Sequence, residues 1–206
     1  MSHRKRLFDL VLALMLIMIC APLFLVLVFG LLLAQGRPVF YFSERMKSPD
    51  QAFLLCKLRS MTETAADQGV TGGDKRQRIT CCGRWLRASR LDELPQLWNI
   101  LRGDLSFVGP RPPLRRYVVQ FPDLYHKVLN ARPGVTGLAT VICHQSEAKR
   151  LHRCQTPQET EALYTRVFVP RKARLDLIYQ RHQSLRFDLY LLWRTLPVLL
   201  WGSWVK

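Results

Sequence analysis

The chain has 206 residues, with 31 Lys and Arg against 15 Asp and Glu, a formal net charge of +16, and 49% apolar residues. That apolar content excludes a disordered basic tail, which has too little to bury, and the length suits one domain or one and a half. For so basic and so apolar a chain two partner classes remain: nucleic acid, or a membrane with its anionic headgroups and phosphate-bearing substrates.

First in chain order is an uncharged run of 25 residues, Leu10 to Ala34, preceded by Arg4, Lys5, Arg6 and Asp9. As one helix it would reach about 38 Å, more than the ~30 Å hydrocarbon core. It is too long for the core of a signal peptide. Pro22 near its middle predicts a kink. Arg37 and Arg45 follow the run, so positive charge flanks both ends, and the positive-inside tendency then wants both ends in the cytoplasm. A segment that enters, breaks at Ala21-Pro22 and returns meets both constraints; an ordinary kinked transmembrane helix meets the first. Arg4 to Arg6 are expected to rest on anionic headgroups.

Beyond Gly36, Pro38 to Phe42 predicts a short strand. In Cys56 to Met61, Lys57 and Arg59 alternate with apolar residues, which suits a strand presenting both cations on one face, either to an anionic ligand or to solvent. Residues 62–78, polar and containing Gly72-Gly73, predict a mobile surface loop. Helices are predicted over Arg84–Arg90 and Pro95–Leu101, and a stiff, turn-rich segment over Leu105–Pro113. Helical spacing over Tyr117–Leu129 is interrupted by Pro122, Arg132–Gly137 is a turn, and residues 144–163 are helical in part. Residues 189–205 hold Trp193, Trp201 and Trp204 and are interrupted by Arg194 and Pro197, which favours an interfacial helix over a buried core helix.

The six cysteines form no secreted disulfide framework and read as reduced thiols facing a cytosol. The competing reading is a zinc site from Cys143, His144, His152 and Cys154, but no C-x2-C knuckle accompanies them. Nucleic-acid binding finds no support: there is no zinc finger, no RNP-type aromatic strand and no basic stripe along a helix.

The segment from Arg87 to Arg111 carries the strongest chemical signal. Asp92 and Glu93 stand just before Pro95, a residue favoured at the first helical position. A helix N-terminus would favour their ionised forms, so that Asp92 could attack phosphorus while Glu93 holds a divalent cation. Arg87, Arg90 and Arg111, the last stiffened by Pro110 and Pro112, could neutralise phosphate oxygens. The plainer reading is a capping box from Ser89 to Asp92, weakened because Pro95 would then fall inside the helix.

The run Leu91-Asp92-Glu93-Leu94-Pro95-Gln96, followed by Ser106-Phe107-Val108-Gly109-Pro110-Arg111-Pro112, resembles the signature of the bacterial sugar transferase family, the monotopic phosphoglycosyl transferases. Weaker matches are Lys5-Arg6-x-x-Asp9, Pro22, Lys57-x-Arg59-x-Met61, Arg132 to Gly137, Asp176 and Asp188. The resemblance implies an α/β, mainly α, monotopic membrane protein. In it residues 1–36 form a re-entrant helix broken at Ala21-Pro22, and residues 37–206 form a cytoplasmic catalytic unit with interfacial amphipathic helices. It also implies the transfer of sugar-1-phosphate from a UDP-sugar to a polyprenyl phosphate such as undecaprenyl phosphate, on the cytoplasmic face of a bacterial inner membrane. Asp92 would be the nucleophile, and Glu93 a Mg²⁺ ligand. Lys57, Arg59, Arg87, Arg111, Pro110 and Pro112 would bind substrate; inner-membrane lipid is a partner, and a homodimer is admitted. The rival reading is an inactive family member that serves as a membrane scaffold, against which the retained Asp92, Glu93 and Arg111 speak.

The chain departs from the family pattern in three places. Lys47 and Asp50 replace two glycines, Val141 to Gln145 replace an Asn-Gly-Arg stretch, and residues 146–170 are unlike the usual short link.

Overall fold

A computed structural model describes residues 1–62 and 77–201, the side chains of 196–201 excepted. Helices dominate, with two small sheets between them. A long α1 (His3–Gln35) leads into the antiparallel hairpin β1 (Phe40–Met46) and β2 (Ala52–Leu58), then α2 (Cys81–Ser89), a 3-10 turn (Leu91–Glu93) and α3 (Gln96–Arg102). Strand β3 (Ser106–Val108) pairs in parallel with β4 (Gly134–Thr136) across α4 (Arg115–Gln120) and α5 (Pro122–Val128). The chain closes with α6 (Leu138–Leu151), α7 (Pro157–Leu163), a π-turn (Tyr164–Phe168), α8 (Val169–Arg181) and α9 (Leu185–Trp201).

Helix α1 is long and apolar enough to cross a membrane, and only 11% of its most apolar stretch is buried. It is therefore no core helix: Val11, Leu14, Met18, Val26, Phe29 and Leu33 all stand more than half exposed. A continuous apolar face of this kind calls for a hydrocarbon partner. Its helical backbone runs from His3 to Gln35 through Ala21-Pro22 without interruption.

Both ends of α1 are fastened to the rest of the chain. Near its start, Lys5 Nζ lies 2.6 Å from Asp188 Oδ2, and Asp9 Oδ1 accepts from the Phe107 N–H at 3.4 Å. Lys5, Asp9 and Asp188 are 3%, 0% and 0% exposed. Arg6 donates to the carbonyls of Ile100 and Leu101, capping the negative end of α3. The expected landing of Arg4 to Arg6 on headgroups is thus corrected. Lys5 and Arg6 are structural, because a buried carboxylate and helix-end carbonyls claim them, and only Arg4 remains exposed. At the far end Leu27 and Leu31 pack on Leu58 and Leu86. Arg59 donates to Gln35 O and Gly36 O at 2.6 and 3.1 Å, closing the helix where Gly36 turns out at φ +65°.

The two proline-rich motifs fold against each other. Gly109 N donates to Thr136 O, and Gly134 N to Pro110 O at 2.8 Å. The backbones approach so closely that a Cβ on Gly134 would overlap the amide nitrogen of Gly109. This interlock turns the expected stiff segments 105–113 and 132–137 into the β3–β4 pair.

Other expectations shift for local reasons. The first strand begins at Phe40 rather than Pro38 and runs on to Met46, because β2 pairs with it residue for residue from Phe40↔Leu58 to Met46↔Ala52. Helix α2 starts at Cys81 because Thr80 caps it, its Oγ1 accepting from Gly83 N at 2.9 Å. The break at Pro122 separates α4 from α5 as read. The expected loop over 62–78 falls mostly on residues 63–76, outside the described ones; its ends are joined by Thr62 N to Arg78 O at 2.9 Å. Helix α9 buries Asp188 and Leu191 and exposes Leu189, Tyr190 and Trp193, the two-faced pattern of an interfacial helix. The side chains of Trp201 and Trp204 lie outside the described residues.

Replacing Asp188 with Ala would strand the Lys5 ammonium in the interior. We expect a loss of about 3–5 kcal/mol, read as a large fall in unfolding temperature in detergent. An Asp188→Ala chain as stable as the parent would contradict this account of how α1 is held.

Candidate active site

One cleft of about 540 Å³ gathers most of the residues singled out in the sequence. Its near wall is the face of the hairpin that carries Tyr41, Ser43, Arg45 and Lys57. Its floor is the turn Arg90–Glu93 together with Arg87, Arg111 and Pro112. The far wall consists of two helix faces: His144, Glu147, Ala148 and Leu151 on α6, and Val169, Lys172, Ala173 and Asp176 on α8. Both sets recur every three or four residues, so each belongs to a single helical stripe.

The turn that carries Asp92 is sharply set. Arg90 ends α2 in the left-handed region at φ +58°, the one non-glycine residue to do so among those described. Such a conformation persists where surrounding contacts over-determine it. The turn runs into α3, with Pro95 in the capping position just before Gln96. Ser89 does not form the capping box considered above; its Oγ donates back to Trp85 O at 2.9 Å, which leaves Asp92 free for another role. Asn99 then clamps α3 to the hairpin, accepting from Cys56 N at 3.1 Å and donating to Leu54 O at 2.8 Å.

The two adjacent carboxylates occupy different surroundings. Glu93 Oε1 meets Lys57 Nζ at 2.9 Å and Arg90 at 3.5 Å. Burial would raise its pKa, but Lys57, Arg90 and Arg111 outweigh that and hold it at about 2. Asp92 is 5% exposed, and its Oδ1 has no hydrogen-bond partner. Burial raises its pKa, with Glu93 adding to the rise and Lys57, Arg87 and Arg90 opposing it. The pair thus divides into a firmly ionised carboxylate and a more basic one with an oxygen to spare.

Cations converge on the same floor. Desolvation would lower the pKa of Arg111, but Glu93 and Glu147 raise it. Arg87 is lowered by burial. Arg45, read from the sequence only as a charge flanking the apolar run, is lowered to about 10 by desolvation and by Arg111. Guanidinium groups so crowded suit a polyanion that spreads its charge among them.

Of the residues singled out from the sequence, Lys57, Arg59, Arg87, Asp92, Glu93, Arg111 and Pro112 all line the cleft. Arg59 is committed to the end of α1. Pro110 is not in the lining; its carbonyl accepts from Gly134 N, and it holds the Arg111 turn instead. Ala21 and Pro22 lie far along α1, outside the lining. The sequence reading missed Arg45, Asn99, Glu147 and Lys172 as site residues, and offered His144 only as a zinc ligand. For the α6 and α8 groups the signal was the helical stripe, hidden because residues 144–163 were read as helical only in part and no helix was read over 169–181.

The zinc reading dissolves. Cys143 is buried, His144 Nε2 meets Arg90 at 2.8 Å, and Cys154 Sγ turns back toward Arg150 O. Among the described residues no three His, Cys, Asp or Glu side chains are grouped to hold a metal by themselves. In the turn where Lys47 and Asp50 replace glycines, Lys47 N donates to Gln51 O and Lys47 Nζ pairs with Asp104 at 3.0 Å, so the reversal is built without glycine.

A family model described as bacterial sugar transferase matches residues 1–202. Over 204 residues the chain is 31% identical to a UDP-N-acetylgalactosamine-undecaprenyl-phosphate N-acetylgalactosaminephosphotransferase of Aeromonas hydrophila, covering 96% of this chain and 44% of that protein. It is 36% identical over 207 residues to a UDP-glucose:undecaprenyl-phosphate glucose-1-phosphate transferase of Caulobacter vibrioides, covering 96% and 70%. An undecaprenyl-phosphate galactose phosphotransferase of Salmonella typhimurium is 35% identical over 150 residues, covering 65% and 31%. The chain thus spans less than half the length of the first and third of these relatives.

The Lys57–Glu93 pair makes a pH prediction. A carboxylate at about pKa 2, against 4.5 unperturbed, adds stability that is complete above pH 4.5 and lost as pH falls through 2. Lys57→Met should therefore lower the unfolding temperature most at pH 7. The gap from the parent should shrink as pH falls below 4.5. A gap constant from pH 7 to pH 3 would contradict the assignment.

Proposed function

Because the chain belongs to the bacterial sugar transferase family, we propose that it transfers sugar-1-phosphate from a UDP-sugar to undecaprenyl or another polyprenyl phosphate, releasing UMP. One observation carries the reading. Asp92, buried and with an unpartnered oxygen, sits beside an ionised Glu93 in a cleft ringed by Lys57, Arg87, Arg90 and Arg111. That is what an attack on a diphosphate needs: a carboxylate nucleophile, and cations to take up charge on the phosphoryl oxygens.

In the proposed ping-pong cycle an Asp92 oxygen bonds to the β-phosphorus as the bond to the bridging oxygen breaks, and that oxygen leaves with UMP. A lipid-phosphate oxygen then attacks the same phosphorus and displaces the Asp92 carboxylate, giving polyprenyl-diphospho-sugar. Lys57 and Arg90 keep Glu93 ionised throughout, and Arg111 and Arg87 face the phosphoryl oxygens. Arg45 adds a further positive charge from the hairpin side.

Mg²⁺ fits this donor set. The ion is commonly held by one or two carboxylates and completed by substrate phosphate and water. Glu93 would supply such a carboxylate, both of its observed contacts being made through Oε1, while the spare oxygen of Asp92 serves as the nucleophile. Bound there, the ion would neutralise charge on the phosphate oxygens.

The membrane placement follows the same reading: a re-entrant α1, on the cytoplasmic face of a bacterial inner membrane. Support comes from the fastening of both ends of α1 to one folded unit, through Lys5 and Arg6 at one end and Leu31 and Arg59 at the other. A straight helix of 33 residues would carry its ends about 50 Å apart, and spanning would put them on opposite faces. Exposed Trp85, Trp98 and Trp193 suit the headgroup level.

The test is UMP release from a panel of UDP-sugars, with undecaprenyl phosphate and Mg²⁺. Asp92→Asn and Glu93→Gln should each lower release by at least about 10³-fold, a loss of ~4 kcal/mol in the transition state. Full activity in Asp92→Asn would contradict the covalent cycle, and an inactive parent would favour the scaffold reading.

A further inference from the structure

Buried polar atoms nearly always find a partner, and the far wall of the cleft holds two that do not: His144 Nδ1 on α6 and Asp176 Oδ1 on α8. Neither takes part in the phosphoryl chemistry described above.

His144 is fixed by its other nitrogen. Nε2 lies 2.8 Å from the Arg90 guanidinium. A guanidinium can only donate, so Nε2 accepts, and the neutral ring carries its proton on Nδ1. Burial, with Arg90 and Arg111, holds its pKa below the ordinary histidine value and favours that neutral form. The cleft therefore contains a buried N–H donor with nothing to donate to.

Asp176 is the complement. It is 5% exposed, and burial pushes its pKa to about 7 against the opposing pull of Lys172. Lys172 itself is turned to Glu147 at 2.6 Å and to the Tyr164 ring. Tyr125 lies within electrostatic reach of this carboxyl, and Tyr164, under Lys172 and carried on the π-turn that interrupts the helix between α7 and α8, lines the same cleft. Single π-turns inside helices often mark functional sites.

These features select the ligand. The anionic part of a donor needs cations around it, and the one beside Asp176, Lys172, is already engaged by Glu147. The cations that suit that part are gathered at Asp92 and Glu93. A pyranose, by contrast, presents hydroxyls that both donate and accept, over a weakly apolar ring face. Resting on the phosphoglycosyl-transfer reading above, we propose that the α6–α8 wall is the subsite that reads the sugar ring of the nucleotide-sugar donor. In it Asp176 accepts from a ring hydroxyl, and His144 Nδ1 donates to an oxygen of the ring or of its acylamino substituent. Tyr125 and Tyr164 form the apolar ground beneath. Both side chains are specificity determinants for the transferred sugar.

The experiment uses the full chain in detergent with four donors: UDP-glucose, UDP-galactose and their N-acetylamino counterparts. Asp176→Asn keeps the shape of a buried side chain and changes its acceptor. His144→Gln keeps an acceptor near the Nε2 position for Arg90 while removing the Nδ1 donor. For each variant kcat/KM on all four donors is measured, together with inhibition by UMP. The proposal expects the ratio between the preferred donor and its nearest rival to change by roughly tenfold or more, with UMP inhibition unchanged. A uniform loss on all four donors in both variants would overturn it in favour of a structural role. Weaker UMP inhibition with unchanged sugar ratios would overturn it in favour of a nucleobase subsite. A parent chain that releases UMP from no donor would overturn the underlying reading as well, which separates the two failures.

Discussion

One ion pair joins the near wall of the cleft to its floor: Lys57 from the hairpin, 2.9 Å from Glu93 on the turn before α3. Everything near the floor follows from keeping that contact short. Asn99 fastens α3 to the backbone of β2 on both sides of Leu55, at Leu54 O and Cys56 N, which resists sliding of the strand relative to the turn. The left-handed Arg90 bends the chain so that its own guanidinium reaches Glu93 from the other side. With Glu93 neutralising two cations, its neighbour Asp92 keeps an oxygen without a partner. Two adjacent residues of nearly the same chemistry thereby acquire different tasks from their surroundings.

The apolar helix α1 is as much a part of the folded unit as it is a membrane element. Lys5 is buried against Asp188, which also meets the Tyr179 hydroxyl at 2.7 Å, and that hydroxyl lies 3.1 Å from Val108 O in β3. The helix thus connects to the strand whose continuation carries Arg111. A shift of α1 would be felt through Asp188 and Tyr179 at β3, and through Arg59 at the end of β2 beside Lys57. This arrangement connects α1 to both sides of the cleft.

How much of this was legible in the sequence depends on how local each signal was. Asp92, Glu93, Pro95 and Arg111 stand in one short stretch, and the proline-glycine punctuation there leaves the chain few conformations. Asp92, Glu93 and Arg111 line one cleft, while Pro95 stands at the start of α3. The β3–β4 pair was read only as two turns, because its cause is the contact of Gly109 with Gly134, two glycines that pattern alone does not bring together. Lys5 and Arg6 look like headgroup ligands beside an apolar run; only the distant Asp188 and the end of α3 reveal them as structural cations, Lys5 buried and Arg6 half-buried. His144, Glu147 and Lys172 face the cleft because α6 and α8 run side by side. That approach depends on packing around Tyr125, Phe168 and Val169, which has no signature in a short window.

The central claim is that Asp92 becomes covalently attached to the transferred sugar phosphate. The most direct measurement is the intact mass of the purified chain after mixing with its UDP-sugar and Mg²⁺ in the absence of any lipid acceptor. The account predicts a burst of UMP of about one equivalent, a mass increase equal to one sugar phosphate, and location of the adduct at Asp92 by peptide mapping. UMP appearing only when polyprenyl phosphate is present, with the protein mass unchanged at every stage, would contradict it.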